Sequence, residues 1–191
     1  MEADWEFEVG VDAPVIEARW QRFVDLRLAP DAAWDLPEAL QLPALAEALI
    51  KLNADGSPVW TSKCDFWPQL DASDFDPGEL SAPPEFAAFA MGCYIDLLPR
   101  SEGQWALPEQ ADSWCKRICG LLHELPLRCC RADLVIRSAF IRWNPLKPEQ
   151  LDLGITTYLT ACGANSREAT GSFQSALAAF TNALCPHSTV K

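Results

Sequence analysis

Arg128-Cys-Cys-Arg-Ala-Asp-Leu-Val-Ile-Arg-Ser-Ala-Phe-Ile141 decides the fold. Side chains alternate faces along a strand, and parity sorts this one cleanly. Cys130, Ala132, Leu134 and Ile136 fall on one side, and Arg131, Asp133, Val135 and Arg137 on the other. Cys93 to Leu98 divides in the same way, as does Asp152 to Cys162. The apolar set gains Cys93, Ile95 and Leu97, then Leu153, Ile155, Thr157, Leu159 and Ala161. The polar set gains Tyr94 and Asp96, then Thr156, Tyr158 and Thr160. One face is therefore a core. The other is a charged surface carrying both tyrosines of the chain.

Around these strands the pattern is helical. An amphipathic helix is expected from about Pro108 to Glu124. Another runs from about Ser166 to Cys185, with Ala169, Phe173, Ala176, Leu177, Phe180 and Leu184 on one stripe and Pro186 as its stop. The order β-α-β-β-α predicts an α/β (α+β) fold, an antiparallel sheet with helices on one face and a ferredoxin-like C-terminal unit. That unit lacks a closing strand, for which the N-terminal strand is a candidate. Trp5 to Val11 alternates and reads as that strand. Asp12 to Leu28 reads as a helix from the spacing of Ile16, Trp20, Phe23, Val24 and Leu28. A further helix is expected from Pro43 to about Asn53, and a short one from Pro84 to about Met91. Ser57 to Pro68, with Trp60 and Trp67, has no assignable pattern. Residues 68–84 are rich in Asp, Pro and Ser and read as a connector. It divides an acidic, mostly helical portion (1–67) from an α/β sandwich (85–191), or else joins parts of one domain.

Charge is lopsided. The chain has 191 residues and a formal net charge of −12. Residues 1–90 hold 18 acids and five bases, and residues 91–191 hold nine acids and ten bases. An acidic portion repels phosphate backbones, so nucleic acid is not an expected partner, whereas a basic protein is. The N-terminal Met-Glu-Ala-Asp-Trp-Glu has neither the basic nor the apolar region of a secretory leader. No apolar run approaches the ~18 residues of a membrane span. A cytoplasmic location with reduced thiols is expected, with no membrane partner.

Chemical motifs are few. Cys115, Cys119 and His123 share one helix at intervals of four, but eight residues rise about 12 Å, and zinc ligands lie within about 4 Å of one another. Those cysteines fit an apolar stripe better. Cys129 and Cys130 point to opposite faces, and no Cys-x-x-Cys occurs. No metal or cofactor site is expected. Histidine is scarce, with His187 in a tail beyond Pro186 and His123 as the one well-placed base. There is no nucleophile elbow and no glycine-rich phosphate loop. Cys64 beside Lys63 is a weak nucleophile candidate, and Cys162 to Ser166, at a strand-to-helix junction, a weak anion site. Trp34, Trp60, Trp67 and Trp105, four of eight tryptophans, lie in or near irregular segments. They pin loops onto the domain or serve as exposed anchors.

The candidate surface is thus Tyr94, Asp96, Arg131, Asp133, Arg137, Thr156, Tyr158 and Thr160. The expectation is a non-catalytic interaction protein that binds a basic partner, in the manner of an immunity protein or an effector chaperone. Two alternatives use the same face. In one, a small enzyme or ligand-binding domain grips an anion with Arg131 and Arg137, stacks or donates with Tyr94 and Tyr158, and uses Asp96 or Asp133 as base. In the other, the face joins copies of the chain into a homo-oligomer.

Overall fold

The computed structural model describes residues 1–21, 23–71, 73–144, 146 and 148–186; His187 lies outside them. Strands β1 (Glu2–Glu8), β2 (Ile16–Glu17), β3 (Val59–Trp67), β4 (Phe89–Pro99), β5 (Cys130–Ile141) and β6 (Gln150–Gly163) form one six-stranded sheet. The helices are α1 (Pro37–Gln41), α2 (Pro43–Asn53), α3 (Pro108–His123) and α4 (Ser166–Leu184). The fold is mixed α/β, with helices packed on the sheet. No helix among the described residues is long and apolar enough to cross a membrane.

The strand order is β1-β5-β6-β4-β3, and β2 continues the β5 edge beyond β1. The β3–β4, β4–β6 and β5–β6 pairs are antiparallel, whereas β1 and β2 run parallel to β5. The N-terminal strand therefore lies beside β5, and β3 holds the edge beside β4. Strands from both sides of the 68–84 connector share this sheet.

Parity along the strands places the core where alternation demands. Cys93, Ile95, Leu97, Leu134, Ile136, Ile155 and Leu159 are buried against Leu45 and Leu49 of α2, Cys115 and Ile118 of α3, and Phe173 and Phe180 of α4. Phe66 and Phe173 meet with ring centroids 5.7 Å apart. Asn165 caps α4, its side chain accepting the backbone N–H of Glu168 at 3.0 Å.

Three segments differ from their sequence pattern. Residues 12–28 form no helix. Ile16 instead joins β2 and fills the space above Gly154, where an added Cβ would stand 2.8 Å from Ile16 Cδ1. Burying Ile16 and Ala18 on the sheet outweighs the helical spacing. The expected helix from Pro84 is one 3-10 turn, Pro84–Phe86, and β4 begins at Phe89. Ser57 to Pro68 contains β3, whose alternation breaks at an irregularity between Thr61 and Cys64.

Candidate functional site: the open face of the sheet

The face turned away from the helices is covered at both ends and open in the middle. At one end, Ile16, Ala18 and Phe23, part of a strap that begins at about Pro14, pack with Trp60, Leu98, Ala139 and Ile141. Ser62 Oγ donates to the Glu17 carbonyl at 2.7 Å, and Lys63 pairs with the Glu17 carboxylate at 3.2 Å, tying the strap to β3. At the other end, Leu70, Phe75 and Leu80 of the connector lie over Ala90 and Cys162. Gly92 permits this approach, since a Cβ there would sit 3.3 Å from Leu70 Cδ1 and 3.4 Å from Trp67 Cε3.

Between the two covers lie the residues that parity assigned to the polar face. Tyr94 stands directly across from Tyr158, Asp96 from Thr156, Asp133 from Tyr158, and Arg131 from Thr160. The Trp67, Tyr94 and Tyr158 rings form a row, with centroids 5.9 and 6.2 Å apart. All eight candidates therefore lie on three adjacent strands. Strand β1 adds three that the sequence reading missed: Asp4, Glu6 and Glu8, opposite Asp133, Val135 and Arg137. Their even parity was legible, but the placement of β1 beside β5 was not.

Both arginines are engaged internally. Arg137 Nε donates to Glu8 Oε2 at 2.8 Å, and Nη2 also contacts that oxygen. Its Nη1 donates to Thr156 Oγ1 at 3.1 Å and to Tyr158 Oη at 3.2 Å. Thr156 passes the chain on, donating to Asp96 Oδ1 at 2.6 Å. Arg131 Nε donates to Asp133 Oδ1 at 2.7 Å, and its Nη2 lies 3.9 Å from Asp4 Oδ2. The acids outnumber these bases. Asp4 and Glu6 are exposed, and Glu6 makes no ion pair among the described residues.

Burial shapes the acids further. It pushes the Asp96 carboxyl above the ordinary aspartate range, against the Thr156 hydrogen bond and the Arg137 and Lys63 charges. Asp133 is raised by burial despite Arg131. Burial and the Asp96 charge push the Tyr94 phenol up to about 12. Two hollows open here. One, of about 410 Å³, follows β1 and β5 past Asp4, Glu6, Glu8 and Asp133, with Arg131, Arg137 and Tyr158 also in its lining. The other, of about 160 Å³, lies between Pro14–Ile16 of the strap and Tyr94, Asp96, Arg137, Thr156 and Tyr158.

The remaining motifs have structural settings. Cys115 and Cys119 are core residues, and His123 Nε2 accepts the Ala3 N–H at 3.2 Å. No group of three or more potential metal ligands occurs among the described residues. Burial pushes the Cys64 thiol up to about 12, the reverse of an activated nucleophile. At the Cys162–Ser166 junction the Glu168 carboxylate accepts the Ala164 N–H at 3.2 Å, so the chain's own acid occupies it. Trp60 and Trp105 are buried, Trp67 is half-buried and Trp34 is exposed.

No protein-family model matches this chain, and no curated protein or solved structure is detectably similar to it.

Proposed function

We propose that this protein is a non-catalytic, cytoplasmic binding protein whose open sheet face receives a basic protein partner, as an immunity protein or an effector chaperone would. The observation that carries the reading is the internal neutralisation of Arg131 and Arg137. The Arg137 donors go to Glu8, Thr156 and Tyr158, and Arg131 donates through Nε to Asp133 with Asp4 3.9 Å from its Nη2, so each guanidinium already has a carboxylate partner. The acids of β1 extend past them, with Asp4 and Glu6 exposed along a hollow open enough for side chains of a second protein. The row Trp67–Tyr94–Tyr158 supplies aromatic surface beside that charge, the composition favoured at binding hot spots. Opposite charge across such a surface speeds encounter and selects partners.

Capture from a lysate of the source cells, washed at low and at high salt, tests this when run beside Asp4→Asn/Glu6→Lys. A basic protein retained by the native chain, released by salt and not retained by the variant is the expected result. Equal retention by both chains would refute the assignment of the surface.

A further inference from the structure

Asp96 is the most deeply placed acid of the open face, with 6% of its surface exposed. A buried carboxylate needs donors at both oxygens. Its Oδ1 has the Thr156 hydroxyl, whereas Oδ2 has no protein donor among the described residues and, not being one of the fully buried unpaired atoms, is reached from the hollow. Arg137 does not supply one, since its donors go to Glu8, Thr156 and Tyr158. Lys63 is held by Glu17. The side chain borders the hollow of about 160 Å³, several times the ~30 Å³ that a water molecule occupies in the liquid. Tyr94 and Tyr158 form its aromatic wall and Pro14, Val15 and Ile16 its apolar rim; Arg137 also lines it beside Tyr158, its charge paired with Glu8.

An under-donated carboxylate beneath aromatic rings is complementary to a cation that carries N–H groups. Guanidinium and ammonium heads both hydrogen-bond carboxylates and settle against ring faces within about 6 Å of the centroid. Arg137 shows that distance within this protein, its Cζ 5.7 Å from the Tyr158 ring centre. The apolar rim suits the methylene stem of such a side chain. Neutral or anionic heads would leave Oδ2 without a charged donor.

We propose that the Asp96 hollow is a recognition pocket for one guanidinium or ammonium head, the anchoring arginine or lysine of the basic partner. This rests on the partner reading above and gives it a definite point of attachment. The head donates to Asp96 Oδ2 and lies against the Tyr94 and Tyr158 rings, while β1 holds the flanking basic residues.

The chain has only two tyrosines, and both line this pocket. Protein labelled with ¹³C in tyrosine therefore gives a two-residue NMR reporter of the site. The probe is agmatine, with N-butylurea as a neutral control of similar shape and Asp96→Asn as the variant. Saturable shifts of both tyrosine rings with agmatine are expected, at least tenfold weaker with N-butylurea and at least tenfold weaker in the variant. Unmoved rings, or equal shifts with agmatine and N-butylurea, would overturn the assignment. The urea comparison uses the native chain, so it decides even if the variant fails to fold. Agmatine carries no partner surface. Salt-sensitive capture alongside unmoved rings would remove the anchor and leave the partner reading standing.

Discussion

Burial raises the proton affinity of Asp96 in the folded chain, and Thr156 and the Arg137 charge only partly offset it. The sign of the consequence follows from linkage. The folded state holds this proton to higher pH than the unfolded state, whose ordinary value is 3.8. Stability therefore falls as pH rises through the window between the two, and the penalty is absent below it. Asp96→Asn has no charge to desolvate. We expect it to be more stable than the native chain to urea at neutral pH, with the gap closing as pH falls below the ordinary aspartate value. A gap that persists unchanged in acid would show another origin. The deficit is consistent with a residue kept for binding. A second prediction belongs to Gly163, where an added Cβ would stand 2.4 Å from the Ala169 nitrogen. Gly163→Ala must shift the backbone of α4's first turn, and a loss of about 1–3 kcal/mol is expected in urea melts.

Among the elements, the capping of α4 gives a simple test: Asn165→Ala should lower stability by about 1 kcal/mol, read as a lower urea midpoint. The elements also show where sequence is legible. Alternation sorted β4, β5 and β6 because one parity is predominantly apolar through their central stretches, so the polar face there could be written down residue by residue; at Leu98, Ala139 and Ile141, under the strap, the other parity is apolar as well. Strand β3 was invisible because its irregularity between Thr61 and Cys64 puts Trp60 and Trp67, of opposite parity in the sequence, on the same face of the sheet. The strap misled for a different reason. Ile16, Trp20 and Phe23 do recur at helical intervals, but the gap above Gly154 that captures Ile16 belongs to a strand more than a hundred residues away. Glu8 was missed likewise: its role depends on β1 lying beside β5, and strand neighbours are set by the whole chain.

At the scale of the molecule, β1, β2 and β3 are hydrogen-bonded into the same sheet as β4, β5 and β6, and a single core joins α2, α3 and α4 to it. Urea unfolding followed by tryptophan fluorescence and by far-ultraviolet circular dichroism should therefore give coincident transitions. Two separated transitions would mean that the acidic N-terminal portion folds by itself. The sequence placed most of the acid before residue 91. The fold directs part of it, Asp4, Glu6 and Glu8, onto the face that carries Arg131 and Arg137, converting a would-be basic patch into an acidic one. That conversion is the central claim, and salt-dependent capture from source-cell lysate, quantified by mass spectrometry for the native chain beside Asp4→Asn/Glu6→Lys, tests it most directly. The account predicts one strongly enriched basic protein, released by salt and lost from the variant. Enrichment of an acidic partner, or capture indifferent to both salt and the variant, would contradict it.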